Sequence, residues 1–89
     1  MTEKIDKYKG VLAYFIGFLI EDARDAKKKA LNTSNKEEEI FQGGRALAYF
    51  EVLTSLKNRL DSLDIQLKDV NYTINPDLEF KDFFNRRKK

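Results

Sequence analysis

Among the side chains that could do chemistry, four carboxylates come first. Glu21, Asp22 and Asp25 lie within five residues of one another, and Glu51 follows in the second half of the chain. Carboxylates projecting inward from a helical bundle can hold Mg²⁺ or Mn²⁺, and Glu21 and Asp25 share one helical face. The second half of such a site is absent, because Glu51 is followed by Val52, Leu53 and Thr54 rather than by another acid. Arg45 falls opposite Glu21 when the two halves of the chain fold together, and an ion pair is the simpler expectation. Ser34, Ser55 and Ser62 have no partner to activate them as nucleophiles. The chain contains no histidine and no cysteine, so it lacks the usual neutral-pH proton shuttle, a thiol nucleophile, a disulfide frame and the ligands of structural zinc. The expectation is a protein that is not an enzyme, with no catalytic residue, no metal and no cofactor.

Two charged runs, Lys27-Lys28-Lys29 and Glu37-Glu38-Glu39, could serve as an anion site and a cation site. Both also suit the ends of two helices meeting at one turn, with cations at a C-terminus and carboxylates at an N-terminus. The chain has 17 Lys and Arg against 15 Asp and Glu. Four of the basic residues are the last four, Arg86, Arg87, Lys88 and Lys89, so residues 1–85 carry a net charge of −2. Nucleic-acid-binding domains spread cations over a face or along a helix, and this chain concentrates them in a disordered tail expected at 86–89. Lys27, Lys28, Lys29, Arg86 and Arg87 are the residues through which an anion, nucleic acid included, would be met. Gly43-Gly44 lacks the Gly-Lys-Ser/Thr sequel of a phosphate loop. The pair is expected to let helices approach closely, with Gly43 and Gly44 opposite Ala23 and Gly17 opposite Ala48 or Tyr49.

The elements that position these groups read as helices. Ile5, Tyr8, Leu12, Phe15, Leu19, Ala23, Ala26 and Ala30 recur at steps of three or four, which predicts a helix over 3–31. Asn32-Thr33-Ser34-Asn35 is a turn without apolar members. Ser34 with Glu37 matches a capping box and opens a second helix over 36–63, with Phe41, Gly44, Ala48, Val52, Leu56, Leu60 and Leu63 along it. Residues 64–75 are irregular, with an alternation of Val70, Tyr72 and Ile74 that suits extended chain. Asn75-Pro76-Asp77 then starts a short helix over 76–84, with Asn as N-cap and Pro at the first helical position. The fold class is all-α: an antiparallel two-helix hairpin plus a short C-terminal helix, one domain over 1–85.

The run Val11–Ile20 is apolar for ten residues, about half what a bilayer span requires. A secretory signal is disfavoured by Glu3 and Asp6 before the run and by the charged stretch Glu21–Asp25 after it, and the expected location is the cytoplasm. A helix that is apolar nearly all round is buried on more than one side. One hairpin covers one side, so dimerisation into a four-helix bundle is expected.

Gly44-Arg45-Ala46-Leu47-Ala48-Tyr49-Phe50-Glu51-Val52-Leu53, continued by Leu63-Asp64-Ile65 and by Asn75-Pro76-Asp77, resembles a group of short bacterial helical-hairpin proteins. Their second helix carries a Gly-Arg-x-x-Ala-Tyr-aromatic-Glu-Val run. The resemblance implies an all-α hairpin of bacterial or mobile-element origin and brings no known activity.

The functional expectation is a small self-associating helical protein that acts through protein–protein interaction. Its interaction residues are expected to be Leu12, Phe15, Ile16, Leu19, Tyr49, Phe50, Phe80, Phe83 and Phe84. The alternative is a nucleic-acid-associated accessory protein using Lys27–Lys29 and the basic tail.

Overall fold

The computed structural model describes the backbone of residues 2–87 and the side chains of residues 7–85. Three helices follow in order, α1 (Thr2–Asn32), α2 (Lys36–Ser62) and α3 (Pro76–Arg87), with a 3-10 turn at Leu67–Val70. The described residues contain no strand. Helices α1 and α2 pack side by side as an antiparallel hairpin, and α3 lies against α2. At 1.5 Å per residue α1 alone is about 46 Å long, which accounts for the longest dimension of 52 Å. The radius of gyration is 15.1 Å, against about 12 Å for a compact chain of this length.

Each junction has a local cause. Thr33 accepts the Asn35 amide at its hydroxyl, 3.1 Å away, and Asn35 accepts the Glu38 amide at Oδ1, 3.0 Å away. Asn35, not Ser34, is therefore the N-cap of α2, one residue later than the capping-box spacing suggests. Glu38 turns instead to Gln42, whose Nε2 donates to it at 2.8 Å. At the other end α2 stops in a Schellman arrangement. Asp64 takes a left-handed conformation (φ 59°), the Ile65 amide reaches the Leu60 carbonyl at 2.9 Å, and the Asp64 amide reaches that of Asp61 at 3.1 Å. Asn71 repeats the left-handed conformation (φ 55°) after the 3-10 turn. At α3, Asn75 Oδ1 accepts the Leu78 amide, as the Asn-Pro-Asp sequence predicts. The helix continues through Arg87, so Arg86 and Arg87 belong to its backbone rather than to a tail. Lys88 and Lys89 lie outside the described residues.

The core runs the length of the hairpin. From α1 it takes Ile16, Ile20, Ala23, Ala26 and Ala30, and from α2 Ala46, Leu53 and Leu60. Ile16, Ala23 and Ala30 are seven residues apart, as are Ala46, Leu53 and Leu60, the heptad spacing that keeps two helices in register along a seam. Near the turn the seam is made of small residues, with Gly43 also buried. Towards the open end the larger Ile16, Leu53 and Leu60 take over. Val70, Tyr72 and Ile74 from the connecting segment and Phe80 and Phe83 from α3 complete the core. The alternation read at Val70, Tyr72 and Ile74 is thus a single chain laid over the hairpin with every second side chain inward. Tyr72 fixes it, its hydroxyl donating to the Leu53 carbonyl at 2.6 Å.

The helical phases differ from those the pattern suggests. On α1, Tyr8 and Phe15 are 63% and 57% exposed, and Ile16 and Ile20 take the core positions expected for them. On α2, Phe41, Gly44, Ala48 and Val52 are exposed, as is Leu63 at its C-cap, and Gln42, Gly43, Ala46 and Leu53 are buried in their place. The alanines of α1 admit the close approach of Gly43 and Ala46, and that contact sets the rotation of both helices. A Cβ added at Gly17 or Gly44 would meet nothing within 4 Å, so neither glycine is there for close packing.

Candidate interaction surface

The residues expected to carry anion or cation chemistry are largely engaged in holding the fold. Asp25 pairs with Lys29 one turn on at 3.1 Å and lies 3.9 Å from Arg45. Arg45 therefore meets Asp25 rather than Glu21. Side chains on α2 lean towards its N-terminus and hence towards the turn, which carries Arg45 one turn of α1 beyond the position opposite it. Arg45 also donates to Gln42 and stacks over the Tyr49 ring, 5.8 Å from its centroid. Among the described residues no three acidic, histidine or cysteine side chains converge in a way that could hold a metal ion.

Lys27 and Arg24 clamp α3. Arg24 binds the Glu79 carboxylate through both Nε and Nη2 at 2.9 Å, and this bidentate bond raises the Arg24 pKa. Lys27 donates to the Glu79 carbonyl and sits 5.4 Å from the Phe80 ring centroid. The three lysines thus diverge, with Lys27 on α3, Lys29 on Asp25 and Lys28 in solvent. A cleft of about 340 Å³ beside them is lined by Arg24, Lys27, Lys28, Leu31, Asn32 and Glu79. Its carboxylate already occupies the best placed cation. The side chains of Arg86 and Arg87 lie outside those described.

The residues expected to form an interaction face divide into three groups. Ile16, Phe80 and Phe83 are interior. Leu12, Leu19, Tyr49, Phe50 and Phe84 are half-buried against the core of their own chain. Phe50 meets Phe84 edge-on at 5.2 Å and Phe80 at 6.2 Å, and Phe80 stacks on Phe84 at 5.9 Å. The C-terminal aromatics therefore cover the hairpin that carries them. Phe15 alone of the nine is mostly exposed.

The apolar surface left open lies elsewhere. Tyr8, Val11, Tyr14, Phe15 and Phe18 on α1 are 63%, 65%, 71%, 57% and 46% exposed. At 3.6 residues per turn they form one stripe. Lys9, Arg24 and Lys27, which hold the 3-10 turn and α3, lie on the opposite side of the same helix. Phe41 and Val52 on α2 and Leu63 at its C-cap are exposed, on the side of that helix away from Phe50 and the α3 aromatics, while Ile40 and Leu47 are exposed elsewhere on it. The connecting segment and α3 thus cover one side of the hairpin, and the other side stays apolar and open. Tyr14 and Phe18 hold each other edge to face at 4.8 Å. Beside them a groove of about 490 Å³ runs over Gly10, Ala13 and Gly17 to Asn71. The sequence signal for this surface is the second set of three- and four-residue steps in α1 (Tyr8, Val11, Phe15, Phe18), which interleaves with the core set.

The chain exposes 6715 Å², about a quarter more than the roughly 5400 Å² of a compact monomer of this mass. No helix among the described residues is long and apolar enough to cross a membrane. Comparison with protein-family models, curated proteins and solved structures finds no match to this chain.

Proposed function

We propose that this protein is a small helical interaction module that associates with itself through the open side of its hairpin and acts by binding rather than by catalysis. One observation carries the reading: five neighbouring apolar residues of α1, four of them aromatic, stand exposed in a single stripe on the side that α3 leaves uncovered. Monomeric proteins seldom expose contiguous apolar patches beyond a few hundred Å², and aromatic residues are enriched in the buried centres of interfaces. The sequence has neither cysteine nor histidine and so offers no thiol nucleophile and no neutral-pH proton shuttle, which suits a binding role. A nucleic-acid role draws less support, since Lys27 and Lys29 are committed to Glu79, Phe80 and Asp25.

Sedimentation velocity over a hundredfold range of concentration tests the reading. The wild type should shift from monomer to dimer, and Phe15→Glu should remain monomeric with unchanged helix content. A wild type that stays monomeric to about millimolar concentration refutes it.

A further inference from the structure

The open stripe on α1 is bounded by charge of opposite sign at its two ends, and we infer from this, on the self-association reading above, that two copies pair α1 against α1 in antiparallel orientation. Four of its five residues, Val11, Tyr14, Phe15 and Phe18, are symmetric about a point between Tyr14 and Phe15, and the fifth, Tyr8, would fall opposite Glu21 of a second copy. Lys7 precedes these residues and Asp22 follows them on the same side of the helix, equally far from that point. Neither Lys7 nor Asp22 has an ion-pair partner among the described residues, whereas Asp25, one turn further on, is held by Lys29.

A twofold axis through the centre of the stripe sets each residue i opposite 29 − i of the second copy. Val11 then meets Phe18, Tyr14 meets Phe15, and Lys7 meets Asp22, each pair occurring twice. Parallel pairing would stack Lys7 on Lys7 and Asp22 on Asp22, and like charges across an interface select against that arrangement. The five exposed residues of the stripe together present on the order of 700 Å² per copy, close to the roughly 800 Å² per partner of a standard stable interface. The occupant that fits is a second copy, because it brings both the matching area and the complementary charges.

Two sets of variants test the orientation in the full chain. Lys7→Glu and Asp22→Lys should each raise the dimer dissociation constant about tenfold at low salt, because two like-charged contacts replace two ion pairs. The double variant should return to within about threefold of the wild type. Because the chain has no native cysteine, Val11→Cys and Phe18→Cys can be oxidised separately and as an equimolar mixture. Covalent dimer should form in the mixture and not with either variant alone. A dimer in which Val11→Cys crosslinks to itself, or in which the double charge reversal stays as weak as the single ones, overturns the antiparallel pairing and leaves self-association intact. A wild type that never dimerises removes both. A monomer that instead sediments with anionic phosphatidylglycerol vesicles overturns both in favour of a lipid surface.

Discussion

Replacing Phe80 by alanine tests whether the C-terminal helix is part of the hairpin's own core. The ring is fully buried, touches Phe50 and Phe84, and carries Lys27 over its face. A phenyl side chain buries about 150–250 Å², which at ~25 cal/mol per Å² corresponds to roughly 4–6 kcal/mol of transfer free energy. Alanine keeps the Cβ, and Phe50 and Phe84, both half-buried, can relax into part of the space, so the expected cost is about 3–4 kcal/mol. For a domain of this size, whose total stability is on the order of 4–13 kcal/mol, that lowers the melting temperature by about 12–30 °C. Leu78→Ala is the matched control: it lies on the same helix two residues away, is 76% exposed, and should cost no more than about 0.5 kcal/mol. Thermal melts followed by circular dichroism at 222 nm, at two concentrations about a hundredfold apart, give both values. The difference between Phe80→Ala and wild type should be the same at both concentrations, because the ring's partners lie in its own chain. A loss below about 1 kcal/mol, or a Leu78→Ala as damaging as Phe80→Ala, would show that α3 is not seated on this hairpin.

Three further outcomes are expected. Asn35→Ala should destabilise by about 1 kcal/mol through loss of the cap to the Glu38 amide, and Ser34→Ala by no more than a few tenths; equal effects in urea denaturation would contradict the assignment of the cap. Gly44→Ala should stabilise by about 0.5–1 kcal/mol, since the position is helical and a Cβ there meets open space; a lower melting temperature would contradict it. Tyr72 is neutral when buried, and its pKa is pushed up to about 12 by burial and by the negative charge of Asp77. The folded value lies above the unfolded value of about 10, so its contribution is complete below pH 10 and is lost as pH rises towards 12. Stability measured across that window should fall more steeply for the wild type than for Tyr72→Phe, and parallel curves would exclude this linkage.

The features legible in the sequence are those that depend on a few adjacent residues. The Asn32–Asn35 turn, the uninterrupted helices on either side and the Asn75-Pro76 start need only local chemistry, and they yield the all-α hairpin with a short third helix. The cap moved by one residue because Ser34 and Asn35 both suit the role, and only the Thr33 hydroxyl on the Asn35 amide decides between them. Rotation of the helices was not legible, for a different reason. α1 carries two interleaved apolar sets, one through Leu12, Ile16, Leu19 and Ala23 and one through Tyr8, Val11, Phe15 and Phe18. Three- and four-residue steps fit both, and merging them sends Phe15 inward and Ile16 to the wrong role.

What separates the two sets is size at the far end of the same helix. Ala23, Ala26 and Ala30 are the small run at the turn end of α1, where α2 begins, and the buried Gly43 and Ala46 are their counterparts. Extending the heptad from Ala30 through Ala23 leads to Ile16, not Phe15. Once that phase is fixed, the Tyr8–Phe18 stripe must face away, and the α3 aromatics cannot reach it because Arg24, Lys27 and Phe50 hold them on the other side. The excess of apolar surface in α1 is therefore not absorbed by α3. An apolar stripe that ends in Lys7 on one side and Asp22 on the other has the polarity to choose an orientation as well as the area to choose a partner. That is why the interface proposed here is directional.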